Sequence, residues 1–453
     1  MPAGAAGMAV AVAILVVALS SSGASDRSRR PRGASVVTSA ARAPARPGRV
    51  GTAPLGPAAL DPGAARTAAD ARLAAALNRS LAHAGPATGA LVYDLGAQHV
   101  VYARRPDIAR PPASVEKLYT TVAVLRVLGP DARLHTTVMG TGHQVGSSWH
   151  GDLYLRGGGD PTFGDAGFVR SYYQGQGATV QALIAQLRSR GIRRVTGKVY
   201  ADESMFDRRR GGLLTGYATD TPDFLGQLSA LDFNHGSALK RLGPARFAVK
   251  QFVLDLRATG IRATVAKATA ATPPGAVTLA STDSPPIGTM TREMDVPSDD
   301  LFAELFAKQL GYLFGGGGTI SDGAAVIRGT ISAAFGLHPV VLDGSGLSRD
   351  DRSSPADVVD LLRDVWHTAI GRLLYASLPR IGLEGTVKYL AAGTAAQGRC
   401  RAKTGTLNDV TNLAGYCQTP SGRDLAFALM LDGPSNASAI TLEARMVAAI
   451  ARY

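Results

Sequence analysis

Helix and strand patterns divide this 453-residue chain into three blocks. The first block has an amphipathic helix over 67–84, a pair of strands, and an apolar helix that follows two prolines and ends at Gly129. The last block opens with helices after Pro297 and closes with three strands and a helix. Short strands and loops fill the block between them. This order is typical of one α/β domain whose two parts are separated by an insertion.

The boundaries of these blocks predict the domain organisation. We expect the first part of the split α/β domain over 61–135, an inserted strand-containing domain over 136–275, and the second part over 276–453. A chain of this length is long enough for about three domains of roughly 150 residues, each with its own core. With 45% hydrophobic and 18% charged residues, a disordered chain is excluded.

The first 25 residues have the pattern of an export segment. Met8–Leu19 is an apolar run without a charge, and small residues follow it up to Ser25. The run is too short for a polytopic membrane protein, since one helical span needs about 20 residues. No Lys or Arg precedes it, so two interpretations stay open, a cleaved signal peptide and an uncleaved N-terminal anchor. Either one predicts an exported protein.

Residues 26–60 form a predicted basic linker. Seven arginines lie between Asp26 and Val50, in a stretch rich in Ala, Pro, Ser and Gly that lacks apolar periodicity. They supply much of the formal net charge of +13. We expect a solvated, disordered linker that can contact a membrane or an anionic wall polymer electrostatically, and we expect no nucleic-acid partner.

The two cysteines, Cys400 and Cys417, flank a predicted hairpin whose turn is centred between Asn408 and Asp409. This turn sets the thiols opposite each other, so a cross-strand disulfide is geometrically feasible in an oxidising compartment. The alternative is two unpaired core cysteines. Neither cysteine has zinc spacing, and the eight histidines show no ligand pattern such as HExxH. We therefore expect no metal and no cofactor.

A Ser-x-x-Lys motif opens the apolar helix of the first block. Ser114 and Lys117 lie one turn apart on one helix face, where the lysine can take the proton of the serine hydroxyl. The helix N-terminus adds free N–H groups that can stabilise an oxyanion. A second match, Ser237 to Lys240, precedes a Gly-Pro pair that would break a helix. We therefore assign the nucleophile to Ser114.

Two further motifs follow in the last block. Lys403-Thr404-Gly405 lies in a predicted strand, whose edge can present Lys and Thr to a substrate carboxylate. We expect Gly405 to keep that strand face open, so that a substrate backbone can lie against it. Ser298 begins the segment Ser-Asp-Asp, which opens a helix. Ser-x-x-Lys, Ser-Asp-Asn and Lys-Thr-Gly occur together in class A β-lactamases and penicillin-binding proteins, and here Asp300 replaces the Asn.

With these motifs the chain resembles the D-alanyl-D-alanine carboxypeptidase/endopeptidase family of class C low-molecular-mass penicillin-binding proteins, peptidase family S13. The resemblance covers about residues 65–453, and it includes the segments GGGDPT at 157–162, SDDLFAE at 298–304, DGSGLSR at 343–349 and RAKTGTL at 401–407. It implies a β-lactamase/transpeptidase-like domain, an antiparallel sheet flanked by helices, interrupted by an inserted domain.

The same resemblance implies a function in the cell wall or a periplasm-like space. The implied activity is that of a serine-type D-Ala-D-Ala carboxypeptidase, with a D,D-endopeptidase activity as a second option. The implied substrates are peptidoglycan stem peptides that end in D-Ala-D-Ala, and the implied covalent inhibitors are β-lactams.

The resemblance also implies a role for each catalytic residue. Ser114 attacks the carbonyl of the terminal D-Ala-D-Ala bond, and Lys117 takes its proton. Ser298 relays a proton to the leaving D-alanine. The N–H groups of Ser114 and Thr406 form the oxyanion hole. A serine-bound acyl-enzyme results, and water then releases the peptide.

Substrate binding is assigned by the resemblance to Lys403 and Thr404, which hold the terminal carboxylate, with Gly405 and Thr406 beside them. Asp300 also belongs to this group, but the family has Asn at this position. An Asn side chain can both donate to a substrate carbonyl and accept from a lysine, whereas an ionised Asp can only accept.

The substitution at position 300 predicts a slower enzyme. The negative charge of Asp300 favours the protonated ammonium of Lys117, which is a poorer base. We expect acylation slowed roughly 5- to 30-fold, unless Asp300 is protonated or paired with a lysine in a geometry that leaves the base competent. Two other functions stay open, a serine β-lactamase and a catalytically impaired wall-binding or regulatory relative.

Overall fold

The computed structural model describes residues 68–82, 84–212, 226–238 and 242–453. The predicted export segment over 1–25 and the basic linker over 26–60 lie outside the described residues, as does Lys240 of the second Ser-x-x-Lys match. Among the helices that the structure describes, none is long and apolar enough to cross a membrane.

The described part of the chain contains both strands and helices. The strands are β1 (Gly89–Asp94), β2 (His99–Arg104), β3 (His135–Val145), β4 (Ser148–Arg156), β5 (Arg194–Asp202), β6 (Arg262–Val265), β7 (Val277–Asp283), β8 (Cys400–Leu407), β9 (Val410–Gln418) and β10 (Asp424–Asp432). The α-helices are α1 (Ala68–Leu81), α2 (Lys117–Val127), α3 (Ala166–Tyr172), α4 (Val180–Ser189), α5 (Pro244–Ala258), α6 (Ile287–Asp295), α7 (Asp300–Leu310), α8 (Ile320–Phe335), α9 (Pro355–Val365), α10 (Ala369–Ser377) and α11 (Asn436–Ile450).

The first sheet combines strands from the two ends of the described chain. Its order is β2-β1-β10-β9-β8, and every neighbouring pair is antiparallel. Because β1 pairs directly with β10, the two separated parts of the α/β domain form one sheet. β8 is an edge strand of this sheet, and it carries the Lys-Thr-Gly motif.

The second sheet is formed by the strands between His135 and Asp283, in the order β6-β5-β4-β3-β7. β4, β5 and β6 are parallel, whereas β3 is antiparallel to both of its neighbours. Apolar residues of α4 and α5, such as Leu183 and Phe252, are buried with this sheet in one core. The sheet extends past the predicted boundary at residue 275, because β7 pairs with β3.

Helix α2 lies inside the core of the split domain. Every residue from Lys117 to Leu125 is buried, which is typical of a helix that is surrounded by other elements. Its neighbours in the core include Met294 of α6, Phe302 of α7 and Ile327 of α8. The first residue of α2 is therefore held in place from several sides.

The hairpin of β8 and β9 has the predicted two-residue turn, Asn408-Asp409. In its register Cys400 lies opposite Cys417, and the two form a disulfide. The disulfide lies at the opposite end of β8 from this turn, and the Lys-Thr-Gly motif lies between them. It therefore joins the strand that carries the motif to the interior strand β9.

A protein without this disulfide is expected to fold but to be less stable. Closing a loop of about this length stabilises a protein by about 3 kcal/mol, and the two cysteines are 17 residues apart. The Cys400→Ala/Cys417→Ala double variant should therefore unfold at a lower temperature than the oxidised protein. Calorimetry measures this difference, with the reduced wild type as a control. Two free thiols in the mass spectrum of the non-reduced protein would contradict the pairing.

Candidate active site

Ser114 lies in a short 3₁₀ turn, Ala113–Glu116, that precedes α2. The sequence predicted an α-helix that begins at this serine, so the regular helix starts later than expected. Ala113, directly before this serine, has a φ of 48°, and because a right-handed helix cannot continue through a positive φ, no regular helix can extend through Ala113. Asn412 of β9 holds this segment by donating from Nδ2 to the carbonyls of Pro111 and Pro112 at 2.9 and 2.8 Å.

Lys117 is fully buried and contacts three oxygen atoms from three parts of the chain. Its Nζ lies 2.9 Å from Ser114 Oγ, 2.5 Å from Asp300 Oδ1 and 2.8 Å from the carbonyl oxygen of Ser345. The two oxygens other than the hydroxyl can occupy the two N–H groups of a neutral amine. The amine lone pair then faces the hydroxyl of Ser114, which is the arrangement that a general base needs.

The carbonyl of Ser345 is positioned by a turn for which the sequence predicted no role in the site. Asp343 accepts hydrogen bonds from the backbone N–H groups of Ser345, Gly346 and Ser348 at 3.0, 2.6 and 2.7 Å. Glu304 of α7 accepts from the Ser345 hydroxyl at 2.5 Å. The DGSGLSR segment therefore contributes a backbone acceptor to Lys117.

Buried carboxyl groups surround this turn. Burial and the charge of Asp343 raise the pKa of Glu304 to about 8 and that of Asp351 to about 9. Burial, together with the charges of Asp351 and Asp343, raises the pKa of Glu116 well above its ordinary value. Among the described residues, neither carboxyl oxygen of Glu116 has a hydrogen-bond partner. Glu304 and Asp351 are therefore mostly protonated at neutral pH, and burial disfavours the charged form of Glu116, so these groups add little negative charge beside Lys117.

The second serine–lysine pair joins Ser298 to Lys403. Lys403 Nζ lies 2.7 Å from Ser298 Oγ and 2.9 Å from the carbonyl oxygen of Thr404. Burial and the charge of Lys117 lower the pKa of Lys403 to about 7, so this amine can change its protonation state near neutral pH. Ser298 has a φ of 66°, so its backbone is in a conformation that L-residues rarely adopt.

The edge of β8 is open beside these groups. Ala402 N donates to the carbonyl of Pro379, so the residues before the motif are covered, whereas from Lys403 onward β9 is the only described strand that pairs with β8. Thr406 is exposed there, and Thr404 Oγ1 lies 2.8 Å from Thr386 Oγ1. The structure thus places the predicted carboxylate-binding side chains along a free strand edge.

The role expected for Gly405 is corrected by the structure. A Cβ at this position would lie 2.5 Å from the carbonyl oxygen of Pro112 and 3.2 Å from the backbone N of Ser114. The missing side chain therefore lets β8 approach the turn that carries the nucleophile, and it does not open the strand face to a substrate.

Comparison with known proteins identifies the family of this chain. Residues 70–238 and 226–453 match the D-Ala-D-Ala carboxypeptidase 3 (S13) family. The chain belongs to this family. It is a serine-type hydrolase of the D-Ala-D-Ala carboxypeptidase class, as the motifs predicted. The residue roles within the site remain predictions.

Individual S13 relatives match over most of their length. The chain is 32% identical to a carboxypeptidase DacB of Mycolicibacterium smegmatis, over 85% of this chain and 86% of that protein. It is 28% identical to a D-alanyl-D-alanine carboxypeptidase of an Actinomadura strain, over 82% of each. The crystal structure of penicillin binding protein 4 from Haemophilus influenzae matches with a TM-score of 0.69 and 18% identity, over 84% of this chain and 99% of that one. This match confirms the predicted fold class.

Replacing Glu116 with Gln is expected to change how stability depends on pH. The pKa of Glu116 is higher in the folded protein than in the unfolded chain, so wild-type stability is lost as pH rises from about 4.5 toward the folded value. Glu116→Gln cannot titrate. Its melting temperature relative to wild type should therefore rise between pH 4 and pH 8. Asp131→Asn, at an exposed acid, is the control. A difference that stays constant with pH would contradict the assignment.

Replacing Asp300 with Asn is expected to speed acylation. The 2.5 Å contact with Lys117 shows that the carboxylate lies directly at the base, where an ionised Asp can only accept and offers a substrate carbonyl no N–H donor. Asp300→Asn removes this charge and adds an N–H donor, so the second-order acylation rate should rise roughly 5- to 30-fold. The rate is measured against pH with a fluorescent penicillin. An unchanged rate and pH profile would show that the substitution is neutral.

Proposed function

We propose that this protein removes the terminal D-alanine from peptidoglycan stem peptides through an acyl-enzyme on Ser114. The observation that carries the proposal is the contact of 2.9 Å between Ser114 Oγ and Lys117 Nζ, beside the free edge of β8. A serine and a buried amine at this distance form an activated nucleophile. The open strand edge gives an extended peptide a place to bind.

In the acylation step, Ser114 Oγ attacks the carbonyl carbon of the penultimate D-alanine, and its proton moves to Lys117. The oxyanion of the tetrahedral intermediate is stabilised by the backbone N–H groups of Ser114 and Thr406. The close approach at Gly405 supports this role, because it brings the strand that contains Thr406 against the turn that contains Ser114.

The leaving group and the carboxylate are handled by the second serine–lysine pair. The ammonium of Lys403, with the hydroxyl of Thr404, binds the terminal carboxylate of the substrate. Ser298 contacts Lys403, gives its hydroxyl proton to the amine of the leaving D-alanine, and is reprotonated with the proton that Lys117 took from Ser114. Free D-alanine departs, and water then hydrolyses the ester on Ser114, which regenerates the hydroxyl and releases the shortened peptide.

The proposal also covers partners and location. β-Lactams would acylate the same serine, and a Haemophilus influenzae penicillin binding protein 4 with this fold has been crystallised with a β-lactam. The N-terminal 25 residues support export to the cell wall or a periplasm-like space, and the arginine-rich linker supports contact with anionic polymers or membrane there.

The intact contact between Ser114 and Lys117 supports an active enzyme over an impaired relative. A serine β-lactamase would share the acylation step but would release the penicilloyl group rapidly. Slow turnover of a chromogenic cephalosporin, together with release of one D-alanine per peptide, is the result that the carboxypeptidase assignment predicts.

Replacing Ser114 tests the assignment directly. Ser114→Ala should abolish both the penicillin adduct, read by mass spectrometry of the intact protein, and the release of D-alanine. Ser237→Ala is the matched control, because Ser237 belongs to the competing motif and its hydroxyl donates to the carbonyl of Asn234. This control should still reach full labelling. An adduct that persists in Ser114→Ala would refute the nucleophile.

A further inference from the structure

A histidine of the segment between the two parts of the split domain contacts the middle residue of the second motif. His235 Nε2 lies 2.7 Å from Asp299 Oδ2. Asp299 stands between Ser298 and Asp300, the two motif residues that contact the catalytic lysines. The ring of His235 also lies beside that of Phe302, with 6.4 Å between the ring centroids.

Asp299 fixes the start of α7 with both oxygens of its carboxylate. Oδ1 accepts from the backbone N of Phe302 at 3.1 Å and so caps the helix, while Oδ2 accepts from His235. Its backbone N donates to the carbonyl of Met294 at 2.8 Å. A shift of Asp299 would therefore move the residues on both sides of it, including Ser298, whose backbone is already strained.

His235 itself is anchored to the inserted segment. Its neighbour Asn234 accepts from the backbone N of Asp165 at 2.9 Å and donates to Asp165 Oδ2 at 2.7 Å. The backbone N of Asn234 donates to the carbonyl of Phe163 at 3.0 Å. His235 is therefore held at a fixed position relative to the second sheet, and its ring can act as a rigid support for Asp299.

The charges around His235 favour its imidazolium form. Burial by itself would lower the pKa of His235, but the charge of Asp299, its hydrogen bond and the charge of Asp232 raise it to about 9. Asp232 accepts from the backbone N of Gly236, and burial raises its own pKa to about 7. The charge of Asp299 also acts on Tyr173 and on Glu293, and it helps to raise the pKa of each.

We propose that protonated His235 is a positioning residue for the second active-site motif, which it holds through Asp299 in the geometry that acylation needs. The proposal rests on the acyl-enzyme function of Ser114. His235 does not reach the reacting atoms. It acts by keeping Ser298 on Lys403 and by keeping a side-chain oxygen at position 300 on Lys117, a contact that an Asn there would also make.

The test compares acylation rates of wild type and His235→Asn with a fluorescent penicillin between pH 6 and pH 10.5. The ratio of the two rates cancels the titrations that both proteins share, such as that of Asp351. We expect His235→Asn to acylate roughly 10-fold more slowly at pH 7, as for the loss of a charge-assisted hydrogen bond. The wild-type rate divided by the His235→Asn rate should fall toward 1 as pH rises through about 9, because wild-type His235 then loses its charge.

Two further variants complete the design. Asp299→Asn keeps a side chain that can cap α7 but removes the charge, so it should slow acylation by a similar factor. The double variant should be no slower than either single one, because both remove the same interaction. His135→Asn is the matched control. His135 makes a 2.7 Å contact with Asp283 on an exposed surface, and its loss should leave the rate unchanged.

Each outcome decides the proposal. A ratio near 1 throughout, or a ratio that does not change with pH, would overturn the positioning role, and so would independent effects of the two single variants. If His235→Asn does not fold, as judged by circular dichroism, the rate and pH profile of Asp299→Asn decide in its place. Failure of the proposed function is a different result, because the wild type would then form no Ser114 adduct at any pH.

Discussion

The burial of Lys117 is the constraint on which the rest of the active site depends. An amine with no access to water needs oxygen partners for its N–H groups, and leaving them unpaired would cost several kcal/mol. In the neutral amine the lone pair faces Ser114 in the adjacent turn, and the N–H partners are Asp300 at the start of α7 and the carbonyl of Ser345. Because the last two lie far along the sequence, the base is held correctly only when the two parts of the split domain have folded together.

A second buried lysine makes the charge balance of the site delicate. The charge of Lys117 helps to lower the pKa of Lys403, while the negative charges of Asp295 and Asp300 act in the opposite direction. Burial raises the pKa of Asp295 to about 6, and its Oδ2 accepts from two hydroxyl groups. With Asp at position 300, this protein has one more acidic group next to both lysines than its family pattern provides. A substrate carboxylate that binds at Lys403 would add one more negative charge beside the two lysines.

The sequence carried the local features of the site but not the contacts that orient them. Ser114 and Lys117 could be paired because a spacing of three residues sets side chains together in any helical turn. The placement of this turn could not be predicted, because Asn412 of a distant strand holds the two prolines before it. The need for glycine at position 405 comes from the close approach of β8 to the turn that carries Ser114, which only the tertiary fold shows. His235 had no motif around it, since its partner is supplied by the tertiary fold.

The most direct test of this account is a crystal structure of the wild-type protein acylated by a β-lactam. The account predicts an ester on Ser114 Oγ, with the acyl oxygen within hydrogen-bond distance of the backbone N atoms of Ser114 and Thr406. The carboxylate of the bound drug should contact Lys403 and Thr404, and Lys117 should keep its contacts with Asp300 and Ser345. An adduct on another residue, or a carboxylate bound away from β8, would contradict it.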